Sequence, residues 1–160
     1  MSIIPKSPIQ VPLKKRQITD IIFVHAADTP PTMDIGWKEI NQWHTKDNGW
    51  AAIGYHVVIR RDGTIEAGRP LDTVGSHVRN FNSQSVGICM IGGKGKFSGM
   101  DPKAHYTDDQ LVSLVAVLKE LREKYPQAVV MGHRDADPGK QCPSFDVKNW
   151  YQGVLKASGG

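Results

Sequence analysis

Short apolar runs of strand length recur along the chain, each bounded by polar residues, glycine or proline. Such runs predict buried β-strands, and two of them joined by a glycine-containing turn predict a hairpin. The predicted elements are a central strand at 19–25, a hairpin at 54–68 with its turn at 61–63, and strands at 85–91 and 128–131. The first strand ends at His25, and the last leads to His133.

Three segments place apolar residues at helical spacing. The predicted helices span residues 33–46, 107–124 and 146–156, with Asp34, Thr107 and Asp146 as their N-caps. The longest has Gln110 three residues after its cap, which is the spacing of a capping box. Its apolar stripe consists of Leu111, Leu114, Val115, Leu118 and Leu121.

The order strand, helix, hairpin, strand, helix, strand, helix predicts an α/β fold. We expect a single domain with a central mixed β-sheet flanked by about three helices. The domain would occupy residues 18–156. Residues 1–17, which contain three prolines and a short basic run, are expected to form a flexible arm, and residues 157–160 a disordered tail.

The composition is ordinary for a globular protein, with 39% hydrophobic and 22% charged residues. No apolar run approaches the roughly 20 residues that span a bilayer, and the N-terminal segment holds none long enough for a secretory signal. We therefore expect synthesis in the cytosol and no membrane anchor. The net charge of +4 and pI of about 9.1 permit binding to nucleic acid or to a cell wall without choosing between them.

His25, His133 and Cys142 are the strongest candidates for a reactive site. Imidazole nitrogen and thiolate sulfur are donors that zinc prefers, and three protein ligands leave a fourth position for water, as in catalytic sites. Spacing alone leaves coincidence open, because His25 lies far from the other two in sequence. A structural disulfide between Cys142 and Cys89 is the alternative, disfavoured in a reducing cytosol. Cys89 then reads as a buried apolar residue.

Four stretches resemble the type 2 N-acetylmuramoyl-L-alanine amidases, zinc enzymes that hydrolyse peptidoglycan. That family includes the phage endolysins called T-odd phage lysozymes and the eukaryotic peptidoglycan recognition proteins. The stretches span Ile21 to Asp146 in the family's order and read IIFVHAADT, GWAAIGYHVVIRRDGTIEAGR, VGSHVRNFNSQSVGICMIGG and GHRDADPGKQCPSFD. The set is specific, whereas any one stretch alone is a weak signal.

The resemblance implies one zinc ion per chain, held by His25, His133 and Cys142. It also implies that Tyr55 and Lys140 lie beside the metal and assist the chemistry. In related cytosolic recycling amidases the third ligand is an aspartate, and recognition proteins that only bind lack the cysteine. The presence of Cys142 is similar to the phage and recognition-protein branches and favours an enzyme.

The implied reaction is hydrolysis of the amide between N-acetylmuramic acid and L-alanine, with Lys140 and zinc stabilising the oxyanion. Tyr55 either deprotonates the attacking water or orients it, and an ordinary tyrosine pKa of about 10 leaves both roles open. His77, Arg79 and Asn82 form a candidate substrate-binding loop for the acidic stem peptide. The alternative for these three is ordinary loop polarity.

These features favour a monomeric phage or prophage endolysin, made in the host cytoplasm and released to the periplasm and cell wall through a holin. One alternative is a non-catalytic muropeptide binder. A second, by resemblance, is a protein that regulates phage RNA polymerase, with residues 1–17 as the contact. A nucleic-acid binder rests on the pI alone, without the interleaved aromatic and basic residues of single-strand binders.

Overall fold

The computed structural model describes residues 2–159, so the first residue of the predicted arm and the last of the predicted tail lie outside the described residues. Five strands form one mixed sheet in the order β3-β2-β4-β1-β5. The strands are β1 (Ile21–Ala26), β2 (Val57–Ile59), β3 (Ile65–Ala67), β4 (Ser85–Met90) and β5 (Val129–Gly132). The α/β fold with a central mixed sheet is thereby confirmed, as are the central strand and the hairpin.

The register of the sheet places the ends of three parallel strands side by side. Strand β1 runs between β4 and β5 and is parallel to both, with His25 opposite Cys89 and Val24 opposite Gly132. Strand β2 is parallel to β4, whereas β3 is antiparallel to β2. Because parallel strands finish at the same edge, the segments that follow β1, β4 and β5 converge there, as at ligand sites of open α/β sheets.

Two amphipathic helices cover one face of the sheet. Helix α2 (Asp108–Lys124) begins with the predicted capping box, in which the Thr107 hydroxyl accepts from the Gln110 backbone N–H at 3.0 Å. Helix α4 (Val147–Ala157) is capped by Asp146, as predicted. The predicted α2 stripe packs on the sheet except at one position: Val115 is half-buried and Val117 is buried in its place.

The helix predicted at 33–46 begins later, so the assignment of Asp34 as its cap was wrong. Helix α1 spans Trp37–Gln42 and continues as a single π-helical turn, Trp43–Asp47. Its first N–H groups are satisfied by carboxylates instead: Gly36 donates to Glu39 at 2.7 Å and Trp37 donates to Glu66 at 2.9 Å. Glu66 belongs to β3, so a tertiary contact sets the start of this helix.

The segment 2–17 runs across the surface beside the loop that follows β3. Arg16 N donates to the Asp72 carbonyl at 2.7 Å, and Val74 N donates to the Lys14 carbonyl at 2.8 Å. The Lys15 ammonium also pairs with the Asp72 carboxylate at 2.8 Å. The flexibility expected for this segment stays a prediction. Among residues 2–159, no helix has the length and apolar character needed to cross a membrane.

Candidate metal centre and catalytic cleft

His25, His133 and Cys142 meet at the edge where the parallel strands end. His25 is the last but one residue of β1, and the chain leaves β5 directly into a short helix, α3 (His133–Ala136). Cys142 lies in the loop between α3 and α4. The ligand atoms of the three side chains all lie within 4.8 Å of one another. The structure therefore brings together three residues that are far apart in sequence.

Backbone hydrogen bonds hold the cysteine loop against the sheet. The Ala26 N–H, at the end of β1, donates to the Cys142 sulfur at 3.0 Å. The Arg134 N–H donates to the Cys142 carbonyl at 2.9 Å, which ties the loop to the helix that carries His133. The Tyr106 hydroxyl anchors the next residue by donating to the Pro143 carbonyl at 2.8 Å. These bonds fix the sulfur beside the two imidazoles.

The electrostatics of the three side chains suit a bound cation. Burial raises the pKa of the Cys142 thiol to about 12, although the Ala26 N–H opposes the shift, so a thiolate here needs a positive charge beside it. Burial lowers the pKa of His25 well below its usual value and also lowers that of His133, which keeps both rings neutral. Neutral imidazole and a thiolate form the donor set of zinc, and the described residues fit that ion.

Tyr55 lies beside the cluster as a neutral phenol. Its ring centroid is 5.0 Å from that of His25. Burial raises the pKa of Tyr55 well above 10, and the neighbouring thiols of Cys89 and Cys142 raise it further. Ionisation of the hydroxyl is therefore unfavourable near neutral pH, and a hydrogen-bonding role is favoured over that of a general base.

Lys140 lines a cavity next to Cys142. A cavity of about 300 Å³ opens beside the cysteine and is lined by Ala26, Asp28, Gly93, Gly95, Lys140, Gln141, Cys142 and Ser144. Lys140 is exposed, and its backbone N–H donates to the Asp137 carbonyl at 2.9 Å, which curls the loop back toward His133. The lysine therefore lies on the wall of the cavity that also contains the candidate ligand Cys142.

The predicted substrate loop lines a separate cavity. A second cavity of about 300 Å³ is lined by His44, Trp50, Tyr55, Ser76, His77, Val78, Arg79 and Asn82. Arg79 is exposed, whereas the Asn82 carbonyl oxygen accepts from the backbone N–H groups of His77 and Val78 at 2.8 and 2.9 Å. Asn82 thus shapes the loop, and the exposed Arg79 places a positive charge on the cavity wall. A larger cavity, about 580 Å³ between α2, α4 and β5, contains none of the candidate residues.

Sequence reasoning missed two residues of this wall. Trp50 is 38% exposed at the cavity, and its ring packs edge-on against His44 with centroids 4.7 Å apart. The Nδ1 atom of His44 accepts from the Gly54 N–H at 2.9 Å, so this histidine braces the wall and lies outside the ligand cluster. The position of Trp50 inside the stretch GWAAIGY, which also contains Tyr55, was the available signal.

A buried arginine holds the wall together and was also missed. Arg69 is 6% exposed, and its guanidinium donates to the Ile53 carbonyl at 2.8 Å and the Val74 carbonyl at 2.9 Å. It also contacts the Ser76 hydroxyl at 3.3 Å. These bonds join the segment before Tyr55 to the segment before His77. Arg69 therefore fixes the two sides of the cleft relative to each other.

Known proteins with similar sequences are amidases and endolysins. The family model described as N-acetylmuramoyl-L-alanine amidase (Amidase_2) matches residues 14–145. The endolysin of Enterobacteria phage K11 is 51% identical over 146 residues, which cover 89% of this chain and 92% of that protein. The endolysin of Escherichia phage T7 is 46% identical with the same coverage of both proteins.

Solved structures show the same architecture. The N-acetylmuramoyl-L-alanine amidase LysC from Clostridium intestinale URNW is 28% identical, with a TM-score of 0.76 and coverage of 96% of this chain and 95% of that one. Drosophila PGRP-LB, at 23% identity and a TM-score of 0.69, shares the fold and covers 87% of this chain and 82% of that one. The chain belongs to the N-acetylmuramoyl-L-alanine amidase family of hydrolases. Within it, the chain groups with the phage endolysins.

Proposed function

We propose that this endolysin-type amidase is zinc-dependent and cleaves the amide between N-acetylmuramic acid and L-alanine in peptidoglycan during host lysis. The observation that carries the proposal is the convergence of His25, His133 and Cys142, with ligand atoms within 4.8 Å of one another, at the edge of the sheet where the parallel strands end. Membership of the amidase family supports the bond that is cleaved. The similarity to phage endolysins supports the role in lysis.

The three side chains would hold one zinc ion, since they supply two neutral nitrogens and one thiolate. A zinc ion held there supplies Lewis-acid polarisation of a carbonyl and lowers the pKa of water. The buried thiol of Cys142, with its pKa near 12, gains its thiolate form from the bound cation. Three protein ligands would leave a fourth coordination position for water.

Tyr55 orients the attacking water by hydrogen bonding. Its neutral hydroxyl retains both donor and acceptor capacity, because burial keeps the pKa above 10. Lys140, on the wall of the cavity next to Cys142, places a positive charge where the oxyanion develops. A cation aimed at developing charge lowers the barrier without stabilising the substrate equally.

The cavity beyond Tyr55 receives the stem peptide. Arg79 is the exposed cation on its wall and pairs with a carboxylate of the acidic peptide, while His77 and Asn82 shape the loop that presents it. Trp50 offers an exposed ring surface on the same wall. We further propose that the protein acts as a monomer and reaches the wall through a holin.

The first test is digestion of purified peptidoglycan with and without a chelator, with the products identified by mass spectrometry. We expect free stem peptides that begin at L-alanine, their loss on chelation, and their return when zinc is added. If the peptidoglycan stays intact although the protein is bound to it and zinc is present, the protein is a binding module and not an enzyme.

The variant Cys142→Ser tests the ligand set. We expect it to lose most of its zinc and at least 99% of turnover (about 100-fold), while circular dichroism shows that the fold survives. Cys89→Ala is the matched control, because Cys89 lies on the same sheet face but outside the ligand cluster, and it should keep its zinc. Turnover that persists in Cys142→Ser would exclude Cys142 as a ligand.

A further inference from the structure

A second imidazole contacts the candidate metal ligand His25 at the ring nitrogen that does not face the cluster. The Nε2 atom of His25 lies 2.8 Å from the Nδ1 atom of His77. The two rings meet edge to face, with centroids 4.9 Å apart and an interplanar angle of 82°. The other nitrogen of His25, Nδ1, faces the cluster and lies 3.9 Å from the Cys142 sulfur. Each nitrogen of His25 therefore has a different neighbour.

The hydrogen-bond chain continues to a backbone carbonyl. The Nε2 atom of His77 lies 3.3 Å from the Ser85 hydroxyl oxygen, which is 2.7 Å from the Phe81 carbonyl. A carbonyl oxygen only accepts, so the Ser85 hydroxyl donates its one hydrogen to Phe81. The hydroxyl oxygen then accepts from the Nε2–H of His77. The Phe81 carbonyl therefore sets which group donates and which accepts in each of these hydrogen bonds.

The direction of the chain determines the tautomer of His25. With its proton on Nε2, His77 has a bare Nδ1 that accepts from the Nε2–H of His25. His25 is then left with a bare Nδ1 lone pair, and that atom faces Cys142 and the cluster. We infer that His77 is a positioning residue that holds His25 in the Nε2–H tautomer and aims Nδ1 at the metal site.

The surroundings of His77 fit this role. Gly87 lies under the ring, where a Cβ atom would come within 2.7 Å of the imidazole, so a glycine at this place on β4 makes room for it. The ring of Phe23 packs edge-on against that of His77, with ring centroids 6.0 Å apart. The side-chain oxygen of Asn82 accepts from the backbone N–H of His77 at 2.8 Å and so fixes the backbone there. The ring is thus held from the sheet and from its own loop.

This inference rests on the proposed zinc function and adds a residue to it. Partners that hold the second nitrogen of a ligating histidine fix its tautomer and orientation, and their loss costs roughly 10- to 100-fold in metal affinity. His77→Ala should therefore weaken zinc binding by that factor. In His77→Asn the amide oxygen branches from Cγ as Nδ1 does and can accept from His25, so most of the affinity should return.

The experiment measures zinc affinity by competition with a chromophoric chelator. Wild type, His77→Ala and His77→Asn are compared with Ser83→Ala, an exposed neighbour in the same loop that should bind zinc as wild type does. Circular dichroism monitors the fold of each variant. Equal zinc affinity in wild type and folded His77→Ala would overturn the positioning role.

The tautomer is read separately by ¹⁵N NMR of the metal-free wild-type protein above pH 7. We expect the His25 proton on Nε2, and a proton on Nδ1 would overturn the inference. This measurement needs neither zinc nor a variant, so it tests the tautomer of His25 even if His77→Ala does not fold. A wild-type protein that fails to bind zinc would instead overturn the proposed function.

Discussion

The two faces of the central sheet bury different chemistry. The face under α2 and α4 buries aliphatic and aromatic side chains, among them Ile22, Val24 and Leu118. The opposite face has a smaller apolar cluster and also buries His25 and His56, which are each 1% exposed. One sheet therefore carries an apolar packing surface on one side, and a smaller apolar cluster together with buried, hydrogen-bonded histidines on the other.

Strand alternation explains how the same strands serve both faces. In β1, Ile22 and Val24 point to the α2 side, whereas Phe23 and His25 point to the cleft side. Alternate residues of one strand therefore contribute to core packing and to the candidate site. Substitutions on the two faces should consequently have separable effects on unfolding and on activity.

The largest expected effect is on the apolar face. Leu118→Ala removes a fully buried side chain between α2 and the sheet, and we expect the free energy of unfolding to fall by roughly 2–5 kcal/mol. Zinc affinity should not change. Denaturant titration with and without zinc measures both quantities. Val112→Ala, at a position of the same helix that is 71% exposed, is the control and should stay within about 0.5 kcal/mol.

At Lys140 we expect a loss of activity without a loss of stability. Lys140→Ala should slow hydrolysis by roughly 10²- to 10³-fold, because a cation aimed at the oxyanion is lost, while zinc content and stability are retained. Turnover of a soluble muropeptide, with zinc measured on the same sample, checks this. The exposed Lys119 of α2 provides the control, and Lys119→Ala should hydrolyse at the wild-type rate. Unchanged kinetics in Lys140→Ala would remove this lysine from the mechanism.

A pH effect is expected from the polar face. His56 accepts from the Gly87 N–H at 3.0 Å and lies 2.7 Å from the Thr73 carbonyl, and burial lowers its pKa from 6.5 to about 3. Below pH 6.5 the unfolded chain binds a proton there that the folded protein does not. The contribution of His56 to stability is therefore present above pH 6.5 and is lost as the pH drops toward 3, with a slope that approaches about 1.4 kcal/mol per pH unit well below pH 6.5.

The variant His56→Gln isolates this contribution. Arg16, Arg69 and Asp72 also influence His56, and they are the same in both proteins, as are the other buried histidines. The difference in unfolding free energy between wild type and variant should therefore change by about 2 kcal/mol between pH 7 and pH 5. Denaturant titrations between pH 5 and 7 measure it. Parallel pH profiles would show that His56 does not titrate as its burial requires.

The smallest effect is expected at the surface, away from both faces. Lys15 and Asp72 form an ion pair at 2.8 Å, with side chains that are 66% and 58% exposed. Exposed pairs of this kind contribute about 0–1 kcal/mol, and salt screens them. A double-mutant cycle with Lys15→Ala and Asp72→Ala should give a coupling energy in that range. A coupling above about 2 kcal/mol would mean that the N-terminal segment is held more firmly than its exposure indicates.

The apolar face was largely predictable because its signals are local. The strands appear as short apolar runs, and α2 and α4 appear as helical stripes behind a capping residue, with Thr107 and Asp146 in the predicted places. The candidate ligands were selected for another reason: histidine and cysteine are rare donors, and the stretches around them match the amidase family. In both cases residue type or near-neighbour spacing carries the information.

The polar face depends on contacts between distant residues. The start of α1 is set by Glu66 from β3, and the bracing of the cleft depends on Arg69, which no periodic pattern marks. The contact between His25 and His77 joins residues 52 positions apart. Composition and spacing determine which donors the chain has and which segments form strands and helices. Only the packed sheet decides which of those donors meet, because a hydrogen bond requires two atoms within about 3 Å and a sequence pattern does not encode that distance.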